Sequence, residues 1–235
     1  MDTEIPCASK RIKANSMNLE LPTKSMPEAE VTLLLALALL REGDADSFAQ
    51  IAIDGAHVRI KAHKANGQWI AERIIFDIAG FLKDHGCTPV GPLQDGWQEN
   101  YTCGSSSFEI KARQGFDVEV NVAGRPIKVE CKGGPLEPIK VKSPNAIIAT
   151  AVGQVICENS VGNDDELWVA VPDSAQFQRA TERIIAVPVF CKSEIKIALV
   201  SREGGIRLAI PSNCGVAWVD SATYFSQHTI LKAGK

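Results

Sequence analysis

Polar and apolar residues alternate with period two across residues 115–134, GFDVEVNVAGRPIKVECKGG. That period predicts two half-buried strands joined by a tight turn. In the first strand Val118, Val120 and Val122 share one face, and Asp117, Glu119 and Asn121 share the other. In the second, Ile127, Val129 and Cys131 are apolar, opposite Lys128, Glu130 and Lys132. With Gly124 and Arg125 as the loop, Glu119 lies across from Glu130 and Asp117 from Lys132. A small patch of carboxylates and an ammonium results.

Helical periods frame this hairpin. Residues 28–41 are apolar nearly all round, opened by Pro27 and stopped by Gly43, so this helix is expected to be buried or to pack in a dimer. Residues 44–53 read as a second short helix, 57–63 as a strand, and 68–84 as a longer helix carrying Trp69, Ile70, Ile74, Ile78 and Leu82. A loop over 94–106 leads to a strand at 107–113, which runs into the hairpin. Ser143 and Pro144 open a helix to about Glu158, followed by a buried strand at 167–171 and a helix at 174–186. A further hairpin spans 195–201 and 206–210, with Trp218 in the tail beyond it. The order from residue 68 to 172 is then helix, three meandering strands, helix, strand. This is an α/β (α+β) mixed sheet of four to six strands flanked by helices. Residues 1–26 read as a flexible arm, 27–66 as an N-terminal helical extension, and 67–235 as the main domain.

Composition narrows the function. The net charge of −3 and pI near 5.9 argue against a protein that coats nucleic acid non-specifically. The segment 111–142 is nonetheless locally basic, with seven Lys or Arg against four acids. Seven cysteines without CxxC spacing suggest reduced thiols of a cytoplasmic protein rather than a disulfide framework or zinc site. The apolar run from Val31 to Leu40 is too short to cross a bilayer, so no membrane partner is expected. Neither GxSxG, P-loop nor GxGxxG is present, and His57, His63, His85 and His228 lack metal-ligand spacing.

The patch carries the chemistry. Adjacent carboxylates repel unless a cation sits between them, and hard oxygen ligands suit Mg²⁺ or Mn²⁺; the bland alternative is a solvated sheet face of mixed charge. Asp117, then Glu130-Cys131-Lys132, then a helix, resemble the PD-(D/E)xK nuclease superfamily, whose restriction-endonuclease-like sheet starts its second strand with Asp and carries E-x-K on the third. Glu-x-Lys also occurs at Glu109-Ile110-Lys111 and Glu194-Ile195-Lys196. Of the three, Glu130-Cys131-Lys132 alone is expected on paired strands that lead into a helix. Phe116 stands where the family name has Pro.

The resemblance implies Asp117, Glu130 and the Cys131 carbonyl as ligands of Mg²⁺, with Mn²⁺ as a substitute. It implies Lys132 as the group that orients water and offsets phosphate charge, with Gln154 and Glu72 as further catalytic positions. Arg125, Lys140 and Lys142 are candidates for contacts to a nucleic-acid backbone. The expected function is a metal-dependent nuclease, foremost a DNA endonuclease in defence, restriction or DNA processing. The alternative is a catalytically inactive nuclease-fold subunit of a larger nucleic-acid-processing complex. Expected partners are DNA, a second copy through the 28–41 helix, and a larger protein assembly.

Overall fold

The computed structural model describes residues 24–43, 47–60, 63–65, 68–70, 72–112, 115–138, 143–212 and 215–226. In chain order, β1 (Ser25–Met26) leads into α1 (Glu28–Glu42), β2 (Phe48–Ile53) and a short α2 (Gly55–Val58). Small strands follow: β3 (Arg59–Ile60), β4 (His63–Ala65), β5 (Gln68–Ile70) and β6 (Arg73–Ile74). Then come α3 (Ile78–Asp84), β7 (Cys87–Pro89), β8 (Glu99–Cys103), β9 (Ser106–Ala112), and the hairpin β10 (Val118–Val122) and β11 (Arg125–Cys131). The last part holds β12 (Gly134–Pro135), α4 (Pro144–Cys157), β13 (Glu166–Pro172), α5 (Ala175–Ile185), α6 (Pro188–Ser193), β14 (Lys196–Val200), β15 (Ile206–Ser212) and β16 (Gly215–Asp220).

One mixed sheet organises these elements. Its ten strands run β16-β15-β14-β13-β11-β10-β2-β9-β8-β7, more than the four to six expected from the sequence. At its centre β2, β10 and β11 pair antiparallel, and β11, β13 and β14 pair parallel. Helix α1 covers one face. Its apolar positions from Val31 to Leu40 are buried in a cluster with Val118, Val120, Val122, Ile127, Val129 and Cys131. Helices α4 and α5 cover the other face, where Ile148, Ala151, Val155 and Phe177 meet Val169, Val171, Ile197 and Leu199. Strands β13 and β14 are covered on both sides, which explains their nearly continuous apolar runs.

The monomer itself buries α1, so its all-round apolar character is satisfied without a second copy. Its buried acid, Glu30, takes a bidentate pair from Arg202 (2.6 and 3.0 Å), and Arg202 also donates to the Ser25 carbonyl at 3.0 Å. This ties the start of α1 to the turn between β14 and β15.

Several predicted elements change type. Part of the expected helix at 44–53 is β2, where Ala49 and Ile51 are buried between β9 and β10. That insertion also breaks the expected meander, because β9 pairs with β2 rather than with β10. The 68–84 segment is helical only from Ile78, since the Asp77 carboxylate accepts the Gly80 amide at 3.0 Å and starts the helix there. Ile74, expected on its apolar stripe, is exposed on β6. Asp54 likewise caps α2, which takes His57 and Val58 from the predicted 57–63 strand, while Arg59–Ile60 is strand β3. Part of the predicted 94–106 loop is β8, and Trp218 belongs to β16, paired with Ala209.

The hairpin register shifts as well. Its loop is Ala123 and Gly124, both at positive φ (52° and 73°), the geometry of a tight hairpin turn. Glu119 therefore faces Lys128, and the next step of the register sets Asp117 across from Glu130. Among the described residues no helix is long and apolar enough to cross a membrane.

Removing Arg202 would strand a buried carboxylate. Arg202→Ala is expected to lower stability by about 3–5 kcal/mol in urea unfolding. Adding Glu30→Gln to that variant should recover most of the loss, because no buried charge is then left uncompensated.

Candidate active site

Backbone hydrogen bonds fix the candidate residues at one end of the central strands. Asp117 stands just before β10, and its carbonyl accepts the Ala52 amide of β2 at 2.9 Å. Its carboxylate accepts the Cys131 amide at 2.7 Å, which fastens the start of β10 to the end of β11. Lys132 donates its amide to Ala170 of β13 at 2.8 Å. Its ammonium lies 2.6 Å from Glu130 Oε1 and 3.6 Å from Glu28 Oε2, in the first turn of α1. Glu28 Oε1 in turn meets His57 Nδ1 at 3.1 Å.

Gly133 makes this gathering sterically feasible. A Cβ there would lie 2.5 Å from the Glu28 amide nitrogen and 2.7 Å from the Met26 carbonyl. Only glycine lets the start of α1 come this close to the chain leaving β11.

The cluster is buried and acidic. Asp117 is 2 % exposed and Glu130 is 3 % exposed, so water does little to screen their mutual repulsion. Burial and then the Glu130 charge push the Asp117 carboxyl up to about 7, against the opposing Cys131 amide. Burial works against the Lys132 ammonium, but its hydrogen bond to Glu130 and the surrounding carboxylates outweigh that and hold its pKa above the usual value. The Glu28 hydrogen bond raises His57. Burial, reinforced by the Asp117 charge, pushes the Cys131 thiol well up, which leaves it packed in the core and unsuited to nucleophilic attack.

A cavity of about 220 Å³ opens beside Glu130, between the approach to β10 (Gly115 and Phe116) and α4 (Gln154, Cys157 and Glu158). The Gln154 carbonyl oxygen is buried without a hydrogen-bond partner. Gln154 and Glu130 therefore share one opening.

Asp117, Glu130, Cys131 and Lys132 thus lie together at one strand end, and Gln154, which the resemblance implies, lines the cavity beside Glu130. Glu72 stands elsewhere: its side chain is half exposed and pairs with Arg59 at 3.5 Å. The helix acid that does reach Lys132 is Glu28, and the available signal was an acid in the first turn of an otherwise apolar helix. Arg125 stands at the opposite end of β11, paired with Glu166 and donating to the Tyr224 hydroxyl at 2.6 Å. At about 3.3 Å per residue this seven-residue strand separates Arg125 from the cluster by roughly 20 Å. Lys140 and Lys142 lie outside the described residues.

Asp117 and Glu130 are the groups able to hold a hard cation. The N–H and C=O of one strand residue leave on the same edge, so the Cys131 carbonyl also faces the Asp117 side. Among the described residues, no three His, Cys, Asp or Glu side chains gather into a ready-made metal cage.

Two outcomes test this arrangement. Gly133→Ala is expected to cost about 1–3 kcal/mol in urea unfolding, because backbone rather than a flexible side chain must give way. The second concerns pH. In EDTA the folded chain holds the Asp117 proton to about pH 7, whereas the unfolded chain releases it near 3.8. The folded state binds the extra proton between those values, so this contribution to stability is lost as pH rises through 7. Relative to wild type, Asp117→Asn should remove a fall on the order of 1–3 kcal/mol between pH 4 and pH 8. Comparison with protein-family models, curated proteins and solved structures finds no match to this chain.

Proposed function

We propose that the chain is a metal-dependent nuclease of the PD-(D/E)xK type that hydrolyses phosphodiester bonds in DNA. The observation that carries this reading is the buried Asp117 and Glu130 pair with Lys132 bonded to it at 2.6 Å. The path α1, β2, β10, β11, α4, β13 and the strand order β2-β10-β11-β13 support it. They resemble the helix, three strands, helix and strand of restriction-endonuclease-like domains, with Asp117 at the start of the second strand and Glu130 and Lys132 at the end of the third. On this reading the segment between β2 and β10 is an insertion that widens the sheet.

The donor set fits Mg²⁺. The cation takes one or two carboxylates and keeps several waters, and the raised pKa of Asp117 reports burial and a Glu130 charge that Lys132 offsets only in part. Asp117, Glu130 and the Cys131 carbonyl would hold it. A cation bound there supplies a water of lowered pKa and positive charge against the phosphate.

The chain's own groups do the positioning. Lys132, steadied between Glu130 and Glu28, points its ammonium to orient the attacking water and to offset charge on the phosphoryl oxygens. Gln154 lines the same opening, and its buried side-chain oxygen, which has no hydrogen-bond partner, would accept a hydrogen from that water once turned toward the cavity. As the water oxygen bonds to phosphorus, the bond to the leaving oxygen breaks, and that oxygen gains a proton. The products are a phosphate monoester and a hydroxyl.

A second reading, a nuclease-fold binding or assembly subunit without catalysis, draws on the same contact. Lys132 already neutralises Glu130 internally, and the described residues hold no ready-made cage.

Cleavage of supercoiled, linear and single-stranded DNA, with an RNA control, separates the two. Wild type is expected to cut in Mg²⁺ or Mn²⁺ and to stop in EDTA. Asp117→Ala and Lys132→Ala should each lose activity by about 10²-fold or more. A folded wild type that binds DNA but cuts none of these substrates would favour the assembly reading.

A further inference from the structure

We propose that the cleft between the start of α4 and the polar face of α5 is an anion site that takes a backbone phosphate of the nucleic acid. It rests on the nuclease reading for the identity of its ligand. Helix α4 follows β11 and α5 follows β13, and these strands are parallel, so both helices start at the strand ends that carry Glu130 and Lys132. The link is close packed. A Cβ at Gly134, two residues after Lys132, would meet the Phe177 ring of α5 at 2.6 Å and Ile147 of α4 at 3.6 Å.

The cleft holds about 180 Å³, room for a phosphate group with bound water, and its polar lining is Ser143, Asn145, Gln176, Arg179 and Arg183. No carboxylate belongs to that lining among the described residues. Arg179 and Arg183 stand one helical turn apart, where like charges repel. Among the described residues neither arginine has an ion-pair partner, although most other basic side chains near the sheet are paired. The Gln176 amide nitrogen is buried with no acceptor, and the Asn145 amide oxygen is buried with no donor. Turning the Asn145 amide over would present a second donor to the cleft.

Buried donors without partners are costly, and two guanidiniums without a counter-ion repel. A tetrahedral anion corrects both once the Gln176 side chain turns toward the cleft, because its oxygens then accept from Arg179, Arg183 and Gln176 together. The positive end of α4 adds to the same preference. These contacts go to phosphate and read no base, so the site would position the strand for cutting without setting sequence specificity.

The test is fluorescence anisotropy of the full chain with labelled duplex and single-stranded DNA in EDTA, over a range of salt. Wild type is compared with Arg179→Ala/Arg183→Ala and with Arg179→Lys/Arg183→Lys. Both arginines are exposed on α5, so the variants should fold, which circular dichroism checks. The alanine pair is expected to bind about tenfold or more weakly, and to lower the slope of log affinity against log salt by about 1–2. The lysine pair should restore the slope while recovering only part of the affinity, because it lacks the planar fork. Unchanged affinity and slope in the alanine pair would overturn the site, as would a wild type that binds no DNA. Failure here is distinct from failure of the nuclease reading. If the alanine pair binds like wild type while Asp117→Ala abolishes cleavage, the phosphate site falls and the nuclease stands. Arginine-dependent binding without cleavage would leave the phosphate site on a protein that does not cut.

Discussion

Two carboxylates buried side by side at the ends of adjacent strands demand positive charge, and much of the structure is arranged to bring it near. Asp117 and Glu130 face each other across the hairpin, and Lys132 answers Glu130 from the same strand end. Glu28 then holds Lys132 from α1, and His57 holds Glu28. Each partner brings its own positive or negative charge, so the cluster remains more acidic than basic. On the proposed nuclease reading, that residual imbalance is what a bound cation would offset.

The opposite end of the same strands carries a second network, in which one carboxylate meets two cations. Glu166 at the start of β13 receives Arg125, Lys196 at 3.1 Å and the Tyr224 hydroxyl at 2.8 Å. The neighbouring positive charges hold its carboxyl below the usual range despite burial. There a carboxylate is satisfied, and the network serves to fasten the C-terminal segment through Tyr224, which stacks edge-on with Trp168 and lies under Arg125. At one end of the sheet the carboxylate is paired by the fold, and at the other the carboxylates outnumber their cations, which is where the proposed chemistry is placed.

The strand ends also set where a substrate can lie. Helices α4 and α5 start at the edge that holds Glu130 and Lys132; the cleft between them lies at the start of α4, and the opening beside Glu130 lies against the last turns of α4. On the proposed nuclease reading, a polyanion would span from the cluster to the arginines of α5, and the net acidic charge of the chain would disfavour it elsewhere.

Local pattern alone located the hairpin, α1, α4, α5 and β13, because each carries an unbroken period and its own start or stop signal, such as Pro27 before α1 or Ser143 and Pro144 before α4. It also placed Asp117, Glu130 and Lys132 on one polar face with Glu119, Asn121 and Lys128, because a strand's alternation holds wherever the strand goes, and the resemblance to the nuclease superfamily picked out those three. Tertiary structure decided what depends on contacts distant in sequence. Residues 44–53 carry too short an apolar run to declare their period, and pairing with β9 and β10 made Phe48–Ile53 a strand. Residues 68–84 show helical spacing, but the Asp77 cap begins the helix late and sends the preceding residues into small strands. The acid that completes the cluster was Glu28 rather than Glu72, since only the close approach at Gly133 brings the start of α1 to Lys132. A period reports which way a side chain points, and only packing settles which distant side chain it meets.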